Sequence, residues 1–196
     1  MSSVLALAQN DSFQRSQVGT VGFLKDPWEI LYAPNGKLWI TERSKGEVVE
    51  VHPDNGAKKL LLRIDDVHPF SGQAGLLGMD HHPNLGKGMD QDWIYLTYTY
   101  LSGGIPFQRI TRYRYENESG HGRFVEPILL IEGLPSSNDH ISGRLKIGHD
   151  KKIYLTVGDM GANQFGNKCK PIESQRLPSE EELQDQDWSA YKGKIL

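Results

Sequence analysis

Lys37-Leu38-Trp39-Ile40-Thr41, Trp93-Ile94-Tyr95-Leu96-Thr97 and Lys152-Ile153-Tyr154-Leu155-Thr156 decide the fold of this chain. Each reads aliphatic, aromatic, aliphatic, threonine. Leu38, Ile94 and Ile153 stand 56 and 59 residues apart. β-Branched and aromatic residues suit strands, and short strands repeating at this period indicate β-propeller blades of about four strands each. The expectation is an all-β chain.

Working outward, each repeat divides into strands and turns. Around the first lie Glu29 to Ala33, Leu38 to Glu42, Glu47 to Val51 and Lys59 to Ile64. Pro34-Asn35-Gly36 and Asp54-Asn55-Gly56 turn the chain, because Asn-Gly readily takes positive φ. The second repeat supplies Leu76 to His81, Trp93 to Tyr100, Arg109 to Tyr115 and Ile128 to Glu132. The third supplies Arg144 to Ile147 and Lys152 to Val157, followed by a long excursion from Gly158 to about Ser189. Within it, Pro178 to Leu183 predicts a short helix, with Ser179 and Glu182 spaced as a capping box. Lys194-Ile195-Leu196 reads as the start of a third strand. The expected division is an N-terminal segment 1–23, blade one 24–66, blade two 67–133 and an incomplete blade three 134–196, about two and a half blades. Propellers close into a ring of about four to eight blades, so the expectation is a fragment or one part of a larger assembly, with a small open β domain as the alternative.

Composition narrows the function. Of 196 residues, 24% are charged and 37% hydrophobic, a globular balance. The net charge is -3 and the basic residues are dispersed. Nucleic acid is therefore not expected as a partner, because binding it needs concentrated positive charge. Cys169 is the only cysteine, which excludes an internal disulfide and a Cys-based zinc site. No apolar run approaches the ~20 residues of a membrane-spanning helix. Val4 to Ala8 ends in Ala-x-Ala without a basic leader, and reads either as a signal-peptide remnant or as a terminus with a chance match.

Three loop clusters carry the candidate chemistry: Gly72 to Gly78 with Gln73, Leu134 to Leu145 with Asp139-His140, and Gly158 to Gln164 with Asp159. In a propeller the first two precede the first strands of successive blades and share one end of the channel. The third follows a second strand, so its position depends on how the excursion folds back. A neutral imidazole can take a proton from an alcohol near neutral pH, and a neighbouring carboxylate can orient it. On the dipeptide alone, turn chemistry is the commoner outcome for Asp139-His140. Gln73, Gln164 and Asp159 offer amide and carboxylate partners for sugar hydroxyls, or for loop backbone. His81-His82 reads as structural, since strand alternation splits their faces. Glu180-Glu181-Glu182 reads as a solvated helix face.

Leu134 to Leu145 closely resembles the active-site segment of the soluble PQQ-dependent glucose dehydrogenases. Gln73 to Gly78, Gly158 to Gln164, Trp39 to Arg43 and Tyr191 to Leu196 match further segments in the same order. The resemblance runs from about Leu24 to the end and reverses the preference at Asp139-His140. It implies a six-bladed propeller with PQQ and calcium, and oxidation of glucose or another aldose at C1 to the lactone. It implies His140 as general base, Asp139 as its support and a substrate contact, and Gln73, Asp159 and Gln164 in the sugar pocket. The residues expected to grip PQQ and calcium correspond to positions past Leu196, leaving none assigned to cofactor or metal here. It further implies a periplasmic or secreted protein, an electron acceptor other than oxygen, and homodimer formation by the complete protein. Two other readings stand beside it: a calcium-dependent propeller lactonase, with Asp139 and Asp159 as ligands, and a non-catalytic propeller presenting a binding surface.

Overall fold

The computed structural model describes residues 16–20, 22–69, 72–161, 168–169, 171 and 173–196. Val4 to Ala8 and Gln164 lie outside them. The described chain forms three antiparallel sheets in sequence order. The first contains β1 (Pro27–Tyr32), β2 (Leu38–Glu42), β3 (Glu47–Val51) and β4 (Lys58–Arg63), each paired with the next. The second contains β5 (Leu76–His81), β6 (Trp93–Ser102), β7 (Ile105–Glu118) and β8 (His121–Pro135). In the third, β10 (Ile153–Val157) pairs with β9 (Ser142–Ile147) on one side and β11 (Lys194–Ile195) on the other.

The repeated pentapeptide occupies one position in all three sheets. Leu38 pairs with Tyr32, Ile94 with His81 and Ile153 with Ile147. Each partner is the last residue of its sheet's first strand. The alternation of side chains across a strand then gives the pattern a direction. Trp39 packs between the first and second sheets, 4.8 Å from the Tyr115 ring and 5.1 Å from Phe124. Tyr95 packs into the layer between the second and third sheets. In each case the aromatic faces the following sheet, and in the second and third sheets the flanking aliphatics face the preceding one. Tyr154 faces outward and is 43% exposed.

In the first and third sheets the threonine that ends the pattern closes a recurring irregularity; in the second, Thr97 Oγ1 takes no hydrogen bond among the described residues. The first and second strands of every sheet slip register near the same end. A bulge leaves a backbone N–H out of the ladder, and buried donors need partners. Thr41 Oγ1 accepts from Glu29 N at 2.9 Å, and Thr156 Oγ1 accepts from Arg144 N at 3.1 Å. The Thr41 hydroxyl also donates to Leu77 O at 2.9 Å, joining the first sheet to the second. Glu29 and Arg144, at corresponding bulges, form an ion pair from the first sheet to the third.

Two expectations need correction. β7 and β8 run well past Arg109 to Tyr115 and Ile128 to Glu132. Their outer halves are polar, and the ladder there is held by charge pairs: Arg114 with Glu126, and Arg123 with Glu116. Only Tyr113, Tyr115 and Phe124 face the core there, among charged neighbours, so the hydrophobic alternation is sparse. The chain turns between them at Ser119-Gly120, both with positive φ. The helix is Glu180–Gln184, slightly later than predicted, with the Ser179–Glu182 capping box formed. His82 is buried, and burial holds its imidazole below the ordinary histidine range.

Candidate active site

The three loop clusters meet at the bulged end of the sheets. Gly72 to Gly75 enters β5, Ser136 to Ile141 joins β8 to β9, and Gly158 to Gly161 leaves β10. Backbone approaches that exclude side chains weld them together. A Cβ on Gly72 would lie 2.0 Å from Asn138 O, and one on Gly158 would lie 1.5 Å from His140 O. Gln73 N donates to Asn138 O at 3.2 Å, Gly158 N to Ile141 O at 3.0 Å and Met160 N to His140 O at 3.3 Å. Arg43 Nη1 donates to Gly72 O at 2.5 Å and Ala74 O at 3.1 Å, fixing the carbonyls on either side of Gln73.

The side chains then converge. His140 Nδ1 hydrogen-bonds Asp159 Oδ1 at 3.0 Å. That carboxylate oxygen also accepts from Gly161 N at 3.0 Å. With Nδ1–H donating to a carboxylate, Nε2 carries the lone pair. Asp139 Oδ1 lies 3.9 Å from His140 Nε2 and accepts from Gln73 Nε2 at 3.2 Å and His140 N at 3.0 Å. Asp139 Oδ2 is buried and takes no hydrogen bond among the described residues. The His140 side chain is 36% exposed, Asp159 31% and Asp139 20%. The loop places His140 at φ 47 and Ser142 at φ 62, left-handed backbone that non-glycine residues rarely adopt.

The geometry corrects one assignment. The carboxylate bonded to the imidazole is Asp159, not the adjacent Asp139. The left-handed turn at His140 carries the ring toward the exit of β10, and Asp139 is left on the Nε2 side, joined to Gln73. The Gly158 loop therefore does fold back to the same end. Sequence reading also missed Arg43 as an anchor of the Gln73 loop. Its partners are carbonyls about 30 residues away, which no local pattern reveals.

An imidazole held by a carboxylate, beside a second carboxylate and an amide, offers hydrogen-bond acceptors and donors suited to a hydroxylated ligand. The family model for glucose/sorbosone dehydrogenases matches residues 24–195. The chain belongs to the glucose/sorbosone dehydrogenase family. Quinoprotein glucose dehydrogenase B of Acinetobacter calcoaceticus is 35% identical over 200 residues, covering 99% of this chain and 41% of the relative. Among solved structures, the PQQ-bound aldose sugar dehydrogenase of Streptomyces coelicolor is 27% identical with a TM-score of 0.62, over 76% of this chain and 42% of that one. The soluble aldose sugar dehydrogenase of Escherichia coli in its apo-form shares the fold at 22% identity and a TM-score of 0.60. The chain thus spans about two fifths of the length of these relatives. Its three sheets are blades of a β-propeller.

Within this family member, the described residues do not themselves make a cofactor or metal cradle. Arg43 and Arg144, the arginines bordering the loops, are committed to carbonyls and to Glu29. PQQ is a tricarboxylate, and arginines committed in this way do not fit a grip on its carboxylates. Among the described residues no group of three or more His, Cys, Asp or Glu could hold a metal ion. No helix among them is long and apolar enough to cross a membrane.

Proposed function

We propose that this chain supplies the proton-accepting and sugar-binding side of a PQQ-dependent aldose dehydrogenase, oxidising glucose or a related aldose at C1 to the lactone. The observation that carries this is the His140–Asp159 hydrogen bond, which leaves Nε2 as an acceptor beside Asp139 and Gln73. PQQ, when bound, supplies the two-electron acceptor, and calcium belongs to the same proposal through the family resemblance alone.

A sugar hydroxyl is a very weak acid. For C1–H to leave as hydride, the O–H proton must go to a base as the C1–O double bond forms. His140 Nε2 takes that proton, and Asp159 stabilises the imidazolium while holding the ring in place. Asp139 is, by the same resemblance, a contact for a second sugar hydroxyl. Gln73 fixes the Asp139 carboxylate through Oδ1. Gln164 joins this pocket in the proposal by resemblance. The lactonase reading needs Asp139 and Asp159 converging on one cation; here Asp159 is turned onto the imidazole instead. On the family resemblance and the Ala-x-Ala ending of Val4 to Ala8, we place the protein in the periplasm or outside the cell, passing electrons to an acceptor other than oxygen.

The test is steady-state oxidation of glucose with an artificial acceptor, in the chain extended through the positions that the family resemblance assigns to PQQ and calcium, and loaded with both. General-base assistance is worth about 10²–10⁴-fold, and His140→Gln should lose turnover by that factor, mainly in kcat, while still showing a bound quinone spectrum. Turnover within threefold of the parent would mean that the proton goes elsewhere.

A further inference from the structure

Gln108 is a fully buried amide in an apolar layer. It lies on β7 opposite Leu134, with 0% exposure, on the face that carries Ile110 toward the third sheet. Its side-chain nitrogen donates to Pro135 O at 2.9 Å and to Ile141 O at 3.0 Å. Pro135 ends β8, and Ile141 immediately precedes β9. Between those two carbonyls lies only Ser136 to His140. The amide orientation is fixed by its partners, because the reverse would set an oxygen against two carbonyl oxygens.

The Ile141 carbonyl has a second donor, Gly158 N at 3.0 Å. One oxygen therefore joins the end of the His140 loop to the start of the Asp159 loop, and Gln108 holds it from the other side. Gln108 Oε1 takes no hydrogen bond from the described residues. A methionine of similar volume would fill the space without burying an unpaired oxygen. Packing alone does not explain an amide here, whereas clamping the loop does. Left-handed backbone at non-glycine residues persists only where its surroundings over-determine it, and His140 at φ 47 lies inside the clamp.

We propose that Gln108 is a positioning residue for His140: by bridging Pro135 O and Ile141 O it sets the span of the base-bearing loop and keeps Nδ1 on Asp159. This rests on the reading of His140 as the base, and its test has a readout that does not depend on turnover. In the parent, the ¹⁵N resonances of the His140 ring, assigned by their loss in His140→Gln, should show the Nδ1-protonated tautomer. Gln108→Met removes both donors at nearly constant volume. It should remain folded, convert the His140 ring to a mixture of tautomers, and lower kcat about 10- to 100-fold with a smaller change in KM. Gln108→Glu, nearly isosteric but with at most one hydrogen to give, should shift the ring in the same direction and serves if the methionine variant does not fold. A parent-like ring signature with kcat within threefold in the folded variant overturns the proposal. So does failure of both variants to fold, which would make Gln108 a residue of the core alone. If His140→Gln keeps its turnover while the Gln108 variants still disturb the ring, the base assignment fails and the positioning role stands.

Discussion

His140 Nδ1 and Asp159 Oδ1 lie 3.0 Å apart although a whole hairpin, β9 and β10, separates the two residues in sequence. The contact fixes which ring nitrogen is free. Asp159→Asn keeps an oxygen that accepts from Gly161 N and His140 Nδ1, but removes the negative charge that stabilises the imidazolium. We expect kcat to fall by roughly 10²–10⁴-fold, and Asp139→Asn to lose less. Steady-state kinetics on the two variants decide the matter; a larger loss from Asp139→Asn would reverse the roles of the two carboxylates.

Gly158→Ala tests whether the pair is set by main chain. The added Cβ would lie 1.5 Å from His140 O and 2.5 Å from the carbonyl carbon. Neither atom belongs to a flexible side chain, so the loops must part. The expected loss is about 3 kcal/mol of unfolding free energy, read as a lower urea midpoint. A loss under about 1 kcal/mol would show that the loops separate freely.

The repeat offers a controlled comparison of burial. Trp39 is 0% exposed and Tyr154, at the same position two sheets later, is 43% exposed. Trp39→Ala should destabilise by about 3–5 kcal/mol, and Tyr154→Ala by less than about 1 kcal/mol. Equal losses in parallel urea titrations would contradict the outward face of the third sheet.

The helical cap responds to acid. Glu182 accepts from Arg176 Nη1 at 2.7 Å and Ser179 N at 2.7 Å, which holds its carboxyl at about 2 against an ordinary value of 4.5. A depressed carboxyl stabilises the fold above its unfolded value, and that contribution is lost as pH falls from about 4.5 to about 2. The Ser179 and Glu182 amide resonances should therefore shift with a midpoint near 2. A midpoint at 4.5 or above would mean that the box is open in solution.

Sequence alone carried whatever depends on a residue's near neighbours. The pentapeptide marked the second strand of every sheet because each sheet places it in the same register. Ser179 and Glu182 marked their helix because a capping box closes within one turn. Gln108, Arg43 and the Glu29–Arg144 pair were not legible, since their partners lie 27 to 115 residues away and nothing in the intervening pattern announces them. Asp139 was read as the support of His140 through the family resemblance, adjacency alone having favoured turn chemistry. The positive φ at His140 decides otherwise, and no side-chain pattern encodes it. The outer ends of β7 and β8 escaped for a related reason: charged residues that pair across the ladder surround the few aromatics, Tyr115 and Phe124, that pack on Trp39 of another sheet.

The outward Tyr154 has a consequence for how such a chain is lengthened. In the first two repeats the aromatic points to the sheet that follows, and in the first and third the threonine hydroxyl accepts a backbone N–H at the bulge beside it. A unit with these features carries its own docking face, whether or not a successor is present. Tandem duplication of the coding segment could thus extend the stack without altering any existing sheet. The new neighbour would convert Tyr154 from a solvated ring to an interior one by its arrival alone.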